Sequence, residues 1–265
     1  MKAENKVMGG VVALGRKWRS IVAFVAPLAS LVCVWEILAR EVVANPFKMP
    51  EPLEVLHGAD ELWASGVFSP AILVTVERIG IAYGASLIIG WGVGTALGSI
   101  PSVAAVLRPI VSFFFTMPKT AIYPSLVIIL GLGSSSKIVF GVMLAVFPII
   151  LGTATAVSTI DQKLIWSARS LGVSRARTFI GVVIPAMLPG AVAAARVGLV
   201  SAVVGVFLGE MMVGADGLGQ LMMRMSTALD SAATYACLVT ACVIAVAMDG
   251  VVLAIGRRLT WWSEG

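Results

Sequence analysis

Residues 161–190, DQKLIWSARSLGVSRARTFIGVVIPAMLPG, form a polar, basic interruption in an otherwise apolar chain. Asp161 is a good N-cap for a helix over 162–171, and Gly172 fits the left-handed residue that ends one. Ser174 can cap a second helix that begins Arg175-Ala176-Arg177. Leu164, Ile165, Ala168 and Leu171 fall at helical spacing on one side, whereas Lys163, Ser170 and Arg177 do not join them. Pro185 and Pro189 punctuate the return to apolar sequence. The pattern predicts a compact helical knob outside a bilayer, held between two membrane helices. An ordinary helical connecting loop fits the same spacing.

The composition agrees with a membrane setting. Hydrophobic residues make up 59% and charged residues 12%, with mean hydropathy +0.99. Soluble domains carry about a quarter charged residues. The 7 Trp and 27 Gly suit interfacial anchors and close helix packing. The pI of 9.4 reflects Lys and Arg at helix ends and does not imply nucleic acid. Cys33, Cys237 and Cys242 lie in apolar runs and read as small packing residues. His57 is the single histidine, so neither a metal site nor a cofactor is expected. No Gly-rich Lys-Ser/Thr phosphate loop occurs, and the chain is read as a non-enzyme. The first apolar run is long enough to span, so no cleavable signal is expected.

Apolar runs of roughly 20 residues give the topology. A basic tail over 1–20 precedes a single membrane domain, 21–256, with spans at about 21–39, 71–99, 103–130, 137–159, 191–208 and 232–255. A tail over 257–265 closes the chain. The fold class expected is an all-α membrane protein with six transmembrane helices. Residues 53–63 read as a short amphipathic piece, and Pro109, Pro118 and Pro124 interrupt the third span. Lys2, Lys6, Arg16, Lys17, Arg19, Arg108, Lys163, Arg169, Arg175, Arg177, Arg257 and Arg258 share one side. Arg40, Lys48, Lys137 and Arg224 fall on the other. The excess of positive charge orients the termini and the 161–185 loop to the cytoplasm.

Within the spans, Gly90, Gly94 and Gly98 are consecutive small-xxx-small steps that read as helix packing. Glu77 and Arg78 are neighbours about 100° apart on a helix, and both faces suit a bundle interior. A charge at mid-bilayer costs about 2.5–3.5 kcal/mol on insertion scales, so such residues face protein or water. Arg78 either lines a pathway or snorkels. Lys119 lies between Pro118 and Pro124, where a broken helix is tolerated only against protein or a cavity. It either lines the path or joins a structural ion pair. Arg196 is a further pathway candidate, with Ala193, Ala195 and Gly198 leaving room around it. Two basic residues on a path favour an anionic solute. Glu36 and Asp249 read as lone acids.

The knob resembles the cytoplasmic loop of permease subunits of binding-protein-dependent ABC importers. That pattern is Glu-Ala-Ala, three residues, Gly, nine residues, Ile, one residue, Leu-Pro. Here Trp166-Ser167-Ala168, Gly172, Val182 and Ile184-Pro185 stand at those positions. Trp166 departs from the usual Glu, and Ser167 from Ala. The resemblance extends over about residues 70–225. Arg108-Pro109, Pro118, Ala121, Pro124-Ser125, Gly131, Gly133 and Lys137 are similar to the third-span region of the nitrate/sulfonate/taurine branch. Val76 to Gly80, Tyr83-Gly84, Gly209-Glu210-Met211 and Gly217-Leu218-Gly219 extend the likeness, with Arg196 at the expected place.

The resemblance implies a type I importer fold in a bacterial inner membrane. It implies two cytoplasmic ATPases docked on the knobs, a second permease in a homodimer or heterodimer, and an extracytoplasmic solute-binding protein. Docking would fall to Trp166, Ser167, Ala168, Arg169, Leu171 and Gly172, with Pro185 closing the loop. Pathway candidates are Lys119, Arg78, Arg196, Glu77 and Glu210. The solute would be small and anionic, like nitrate, a sulfonate or taurine. An ion-driven secondary carrier is the alternative. Trp166 would fill an apolar pocket where Glu makes charge-assisted contacts, which fits a pairing with a different permease that keeps the acidic loop.

Overall fold

The computed structural model describes residues 26, 27 and 29–263. The basic tail over 1–20, the start of the first expected span and the last two residues lie outside the described residues. All regular structure among the described residues is helical.

Helix α1 (29–37) runs into a π-helical turn, Leu38–Val43. Helix α2 (Pro52–Ala64) opens with Pro52 in its first turn and a capping box between Glu51 and Glu54. Helix α3 (Phe68–Ser99) follows, then α4 (Pro101–Thr116), α5 (Tyr123–Leu130), α6 (Ser134–Ser158), α7 (Gln162–Ser170) and α8 (Arg175–Thr178). Helices α9 (Ile184–Met212), α10 (Leu218–Thr227) and α11 (Ser231–Leu259) complete the order. Helices α3, α6, α9 and α11 are long and apolar enough to cross a membrane, with α9 counted from Arg175.

The interrupted stretch read as the third span forms two helical pieces bent by 80°. Pro118 has no N–H to continue α4, and it holds the preceding Met117 in extended backbone at ψ 137°. A 3₁₀ turn, Lys119–Ile122, then feeds α5. Pro109 sits inside α4 without ending it.

Helix α6 is the centre of the bundle, between α3 and α9. The glycine stripe of α3 is its contact with α6. A Cβ on Gly90 would stand 2.4 Å from Ile149, on Gly94 2.7 Å from the Ile150 carbonyl, and on Gly98 2.5 Å from Val157. The two sets ascend together, so α3 and α6 are parallel. Gly205 meets Gly141, Gly198 meets Ile149 and Gly190 meets Ala156, so α9 runs antiparallel to α6. Small residues let these backbones approach, which is what dispersion-driven packing in lipid requires.

At one end, Val55, Leu62, Phe68, Leu218, Ala233 and Cys237 form a cluster joining α2, α3, α10 and α11. At the other, Val157, Ile160, Val183 and Met187 pack with Ile165 of α7. Of the cysteines only Cys237 is a packing residue, since Cys33 and Cys242 are exposed. Ile88, Ile128 and Ile129 project outward, in keeping with a lipid or protein covering.

Candidate coupling knob and intramembrane charge sites

The knob is built by local chemistry. The Lys163 N–H donates to Asp161 Oδ1 at 2.9 Å and starts α7. At the far end the Gly172 N–H donates to the Arg169 carbonyl and the Val173 N–H to the Ala168 carbonyl. Gly172 has φ +78°. This is a Schellman closure, and it needs a left-handed residue at that position. The Arg177 N–H donates to Ser174 Oγ at 3.4 Å and starts α8.

The knob presents a mixed surface to solvent. Leu164, Trp166 and Leu171 are exposed, Trp166 at 63%. Ser167 and Arg169 are exposed and Ala168 is half-buried. Ile165 and Phe179 pack onto the ends of α6 and α9 and anchor the knob.

Beyond α8 the chain does not pause. A π-helical turn, Phe179–Val183, leads straight into α9, so the described helical run extends from Arg175 to Met212. Pro185 falls in the first turn of α9 and Pro189 inside it. Neither interrupts the helical run. The π turn widens the helix just before Pro185, where a proline ring would otherwise meet the carbonyl four residues back. Helices α8 and α9 are therefore parts of one continuous helical run.

The charged residues sort into distinct sites. Arg78 and Glu210 are brought together, their side chains 2% and 0% exposed. Arg78 Nη1 donates to Glu210 Oε1 at 2.8 Å, and Nη2 donates to Asp216 Oδ1 at 2.6 Å and Ser134 Oγ at 2.9 Å. Glu210 also accepts from Thr75 Oγ at 2.8 Å and from the Gly219 N–H at 3.0 Å. Thr75 in turn accepts from the Leu218 N–H at 2.8 Å. Every strong group in this buried set has a partner, as a low-dielectric site requires. Gly217, at φ +98°, lies over the carboxylate, where a Cβ would come within 2.3 Å of the Glu210 carboxyl carbon.

Glu77, one position from Arg78, is exposed, so only one of the two faces is inward. Lys137 is buried and donates to the carbonyls of Leu132 and Gly133. Arg196 forms a two-pronged pair with Asp249, Nε to Oδ1 at 2.8 Å and Nη2 to Oδ2 at 2.6 Å. Asp249 is thus not a lone acid, and neither is Glu36, which meets Arg40 at 2.6 Å.

Lys119, like Lys137, is held by carbonyl oxygen rather than by a carboxylate. Its Nζ donates to the Phe115 carbonyl at 2.8 Å and lies 5.5 and 5.3 Å from the ring centroids of Phe115 and Phe147. Among the described residues it has no carboxylate partner. It sits at the 80° break.

Sequence reasoning missed Thr75, Ser134 and Asp216 as partners of Arg78. The one signal for them is the demand of a buried arginine for counter-charge. Among the described residues no three His, Cys, Asp or Glu side chains could hold a metal.

Comparison with known proteins agrees with this architecture. Residues 66–261 match the family described as binding-protein-dependent transport system inner membrane component. The chain is 30% identical over 257 residues to the taurine transport system permease protein of Escherichia coli (strain K12), covering 93% of each. It is 24% identical over 201 residues to a nitrate import permease protein of Synechocystis sp., covering 72% of each. The inward-facing MetNI methionine ABC transporter shares the fold at TM-score 0.62 and 22% identity, over 80% of this chain and 98% of that one.

Proposed function

The chain belongs to the family of inner membrane components of binding-protein-dependent transport systems, and from that premise we propose that it is the permease subunit of an ABC importer for a small anionic solute. The observation that carries this reading is the continuity of α8 with α9, which makes the knob a lever fixed to a membrane helix. Two cytoplasmic ATPases dock on the knobs of two permeases, through Trp166, Ser167, Ala168, Arg169, Leu171 and Gly172. ATP binding draws them together, and the motion passes through the π turn before Pro185 into α9. A solute-binding protein delivers the solute at the opposite end. Nucleotide and loaded binding protein each favour one of two conformational states.

Six spans, both termini cytoplasmic, complete the proposal. Lys163, Arg169, Arg175 and Arg177 at the knob, with Arg257 and Arg258 in the last turn of α11, support that orientation. The anionic class is supported by Lys119. The cations Arg78 and Arg196 are matched by acids, whereas Lys119, at the helix break, has no carboxylate partner among the described residues. Similarity to taurine and nitrate permeases supports the same class.

The test is uptake into proteoliposomes holding the chain, its ATPase and its binding protein. Uptake that requires internal ATP and all three components is expected. Uptake by the chain alone on a proton or sodium gradient would replace this reading with a secondary carrier.

A further inference from the structure

A cleft of about 350 Å³ opens between the knob and the ends of α3 and α6. That is the lower end of the size range of small-ligand sites. Its polar wall carries Gln162 and Arg169 from α7, Arg175 from α8 and Ser158 from α6, and no carboxylate lines it. Val157, Ile160 and Phe179 supply apolar wall beside them. Neither arginine has a carboxylate partner among the described residues. Arg169 and Arg175 come from different helices, joined by the turn at Gly172, yet both line this one cleft. A multivalent oxyanion seated in the cleft accepts from both forks.

We propose that this cleft binds a phosphate-type tetrahedral oxyanion, with Arg169 and Arg175 as its donors, presented by a phospholipid headgroup or as free inorganic phosphate. The cleft stands where two apolar helices end, which is headgroup depth. A basic pocket between membrane helices on the positively charged side is the kind of place where anionic headgroups lodge. The bound oxyanion ties α7 to α8 and sets the angle at which the knob meets its partner. The proposal rests on the knob lying at a membrane face. It does not depend on which solute is carried or on whether Lys119 lines the path.

The test uses the full chain in its assembled complex, reconstituted into phosphatidylcholine nanodiscs doped with phosphatidylglycerol, and native mass spectrometry after extraction. A second arm measures thermal stabilisation of the detergent-purified complex by inorganic phosphate against chloride at matched ionic strength. Retained phosphatidylglycerol that falls about tenfold in R169Q/R175Q, with K163Q unchanged, identifies the lipid source. Phosphate-specific stabilisation lost in the same double variant, without lipid retention, identifies the free anion. R169K/R175K keeps the charge without the fork and is expected to bind at an intermediate level, which separates lost binding from lost folding. If neither ligand depends on the two arginines, the proposal is overturned.

Discussion

Arg78 and Glu210 meet at 2.8 Å with both side chains sealed from solvent, although 132 positions separate them in the chain. The pair ties α3 to the end of α9, and Asp216 and Gly219 draw the segment before α10 and its first turn into the same lock. It lies at the opposite end of α9 from the knob.

Removing one partner leaves a buried charge without compensation, which costs about 3–5 kcal/mol. Glu210→Ala is therefore expected to lower the unfolding temperature of the purified protein markedly, and Arg78→Met in the same chain to recover part of the loss. Thermal unfolding in detergent measures both. Equal and additive losses would mean that the two residues act independently.

Gly172 tests the turn between the knob's helices. A Cβ there meets nothing within 4 Å, so any cost of substitution is conformational rather than steric. The penalty for an L-residue in left-handed backbone is about 1–2 kcal/mol, and Asn bears it best. Transport driven by ATP should fall in the order Gly172→Asn, Gly172→Ala, Gly172→Val, with unchanged amounts of chain in the membrane. An absence of any order would argue that the turn geometry does not matter for coupling.

The α3–α6 contact predicts a contrast between glycines of one helix. Gly90→Leu drives side-chain atoms into Ile149, and overpacking costs about 1–3 kcal/mol. Gly80→Leu has open space around it and should be nearly neutral. Unfolding temperatures of the two variants decide the matter. Similar losses in both would mean that the stripe is not the packing surface.

Lys119 is expected to act by charge. Lys119→Arg should retain uptake of an anionic solute, Lys119→Gln should reduce it severalfold, and Lys119→Glu should abolish it, while binding by the solute-binding protein stays the same. Initial uptake rates give the answer, and full uptake by the Glu variant would remove Lys119 from the path.

The knob was legible in the sequence because its determinants are local. Asp161, Gly172 and Ser174 each act within a few residues, through caps and a left-handed turn. The glycine stripe was legible for the same reason, since its spacing lies within one helix. The ion pairs were not. Nothing in the neighbourhood of Arg196 names Asp249, 53 positions away, and Arg78 gives no sign of Asp216. The third region was readable as interrupted, because Pro118 and Pro124 are visible. The 80° bend was not, because the direction taken after a break depends on what the next helix packs against. Pro185 marks the start of α9, since a helix carries proline readily in its first turn.

The central claim is that the knob hands the work of an ATPase to the membrane helices, and position 166 tests it most directly. A photo-crosslinking amino acid placed there in the assembled transporter should join this chain to its ATPase subunit, with a yield that changes when ATP binds. Crosslinks only to lipid or to an outer-surface protein, with solute uptake intact, would contradict the account.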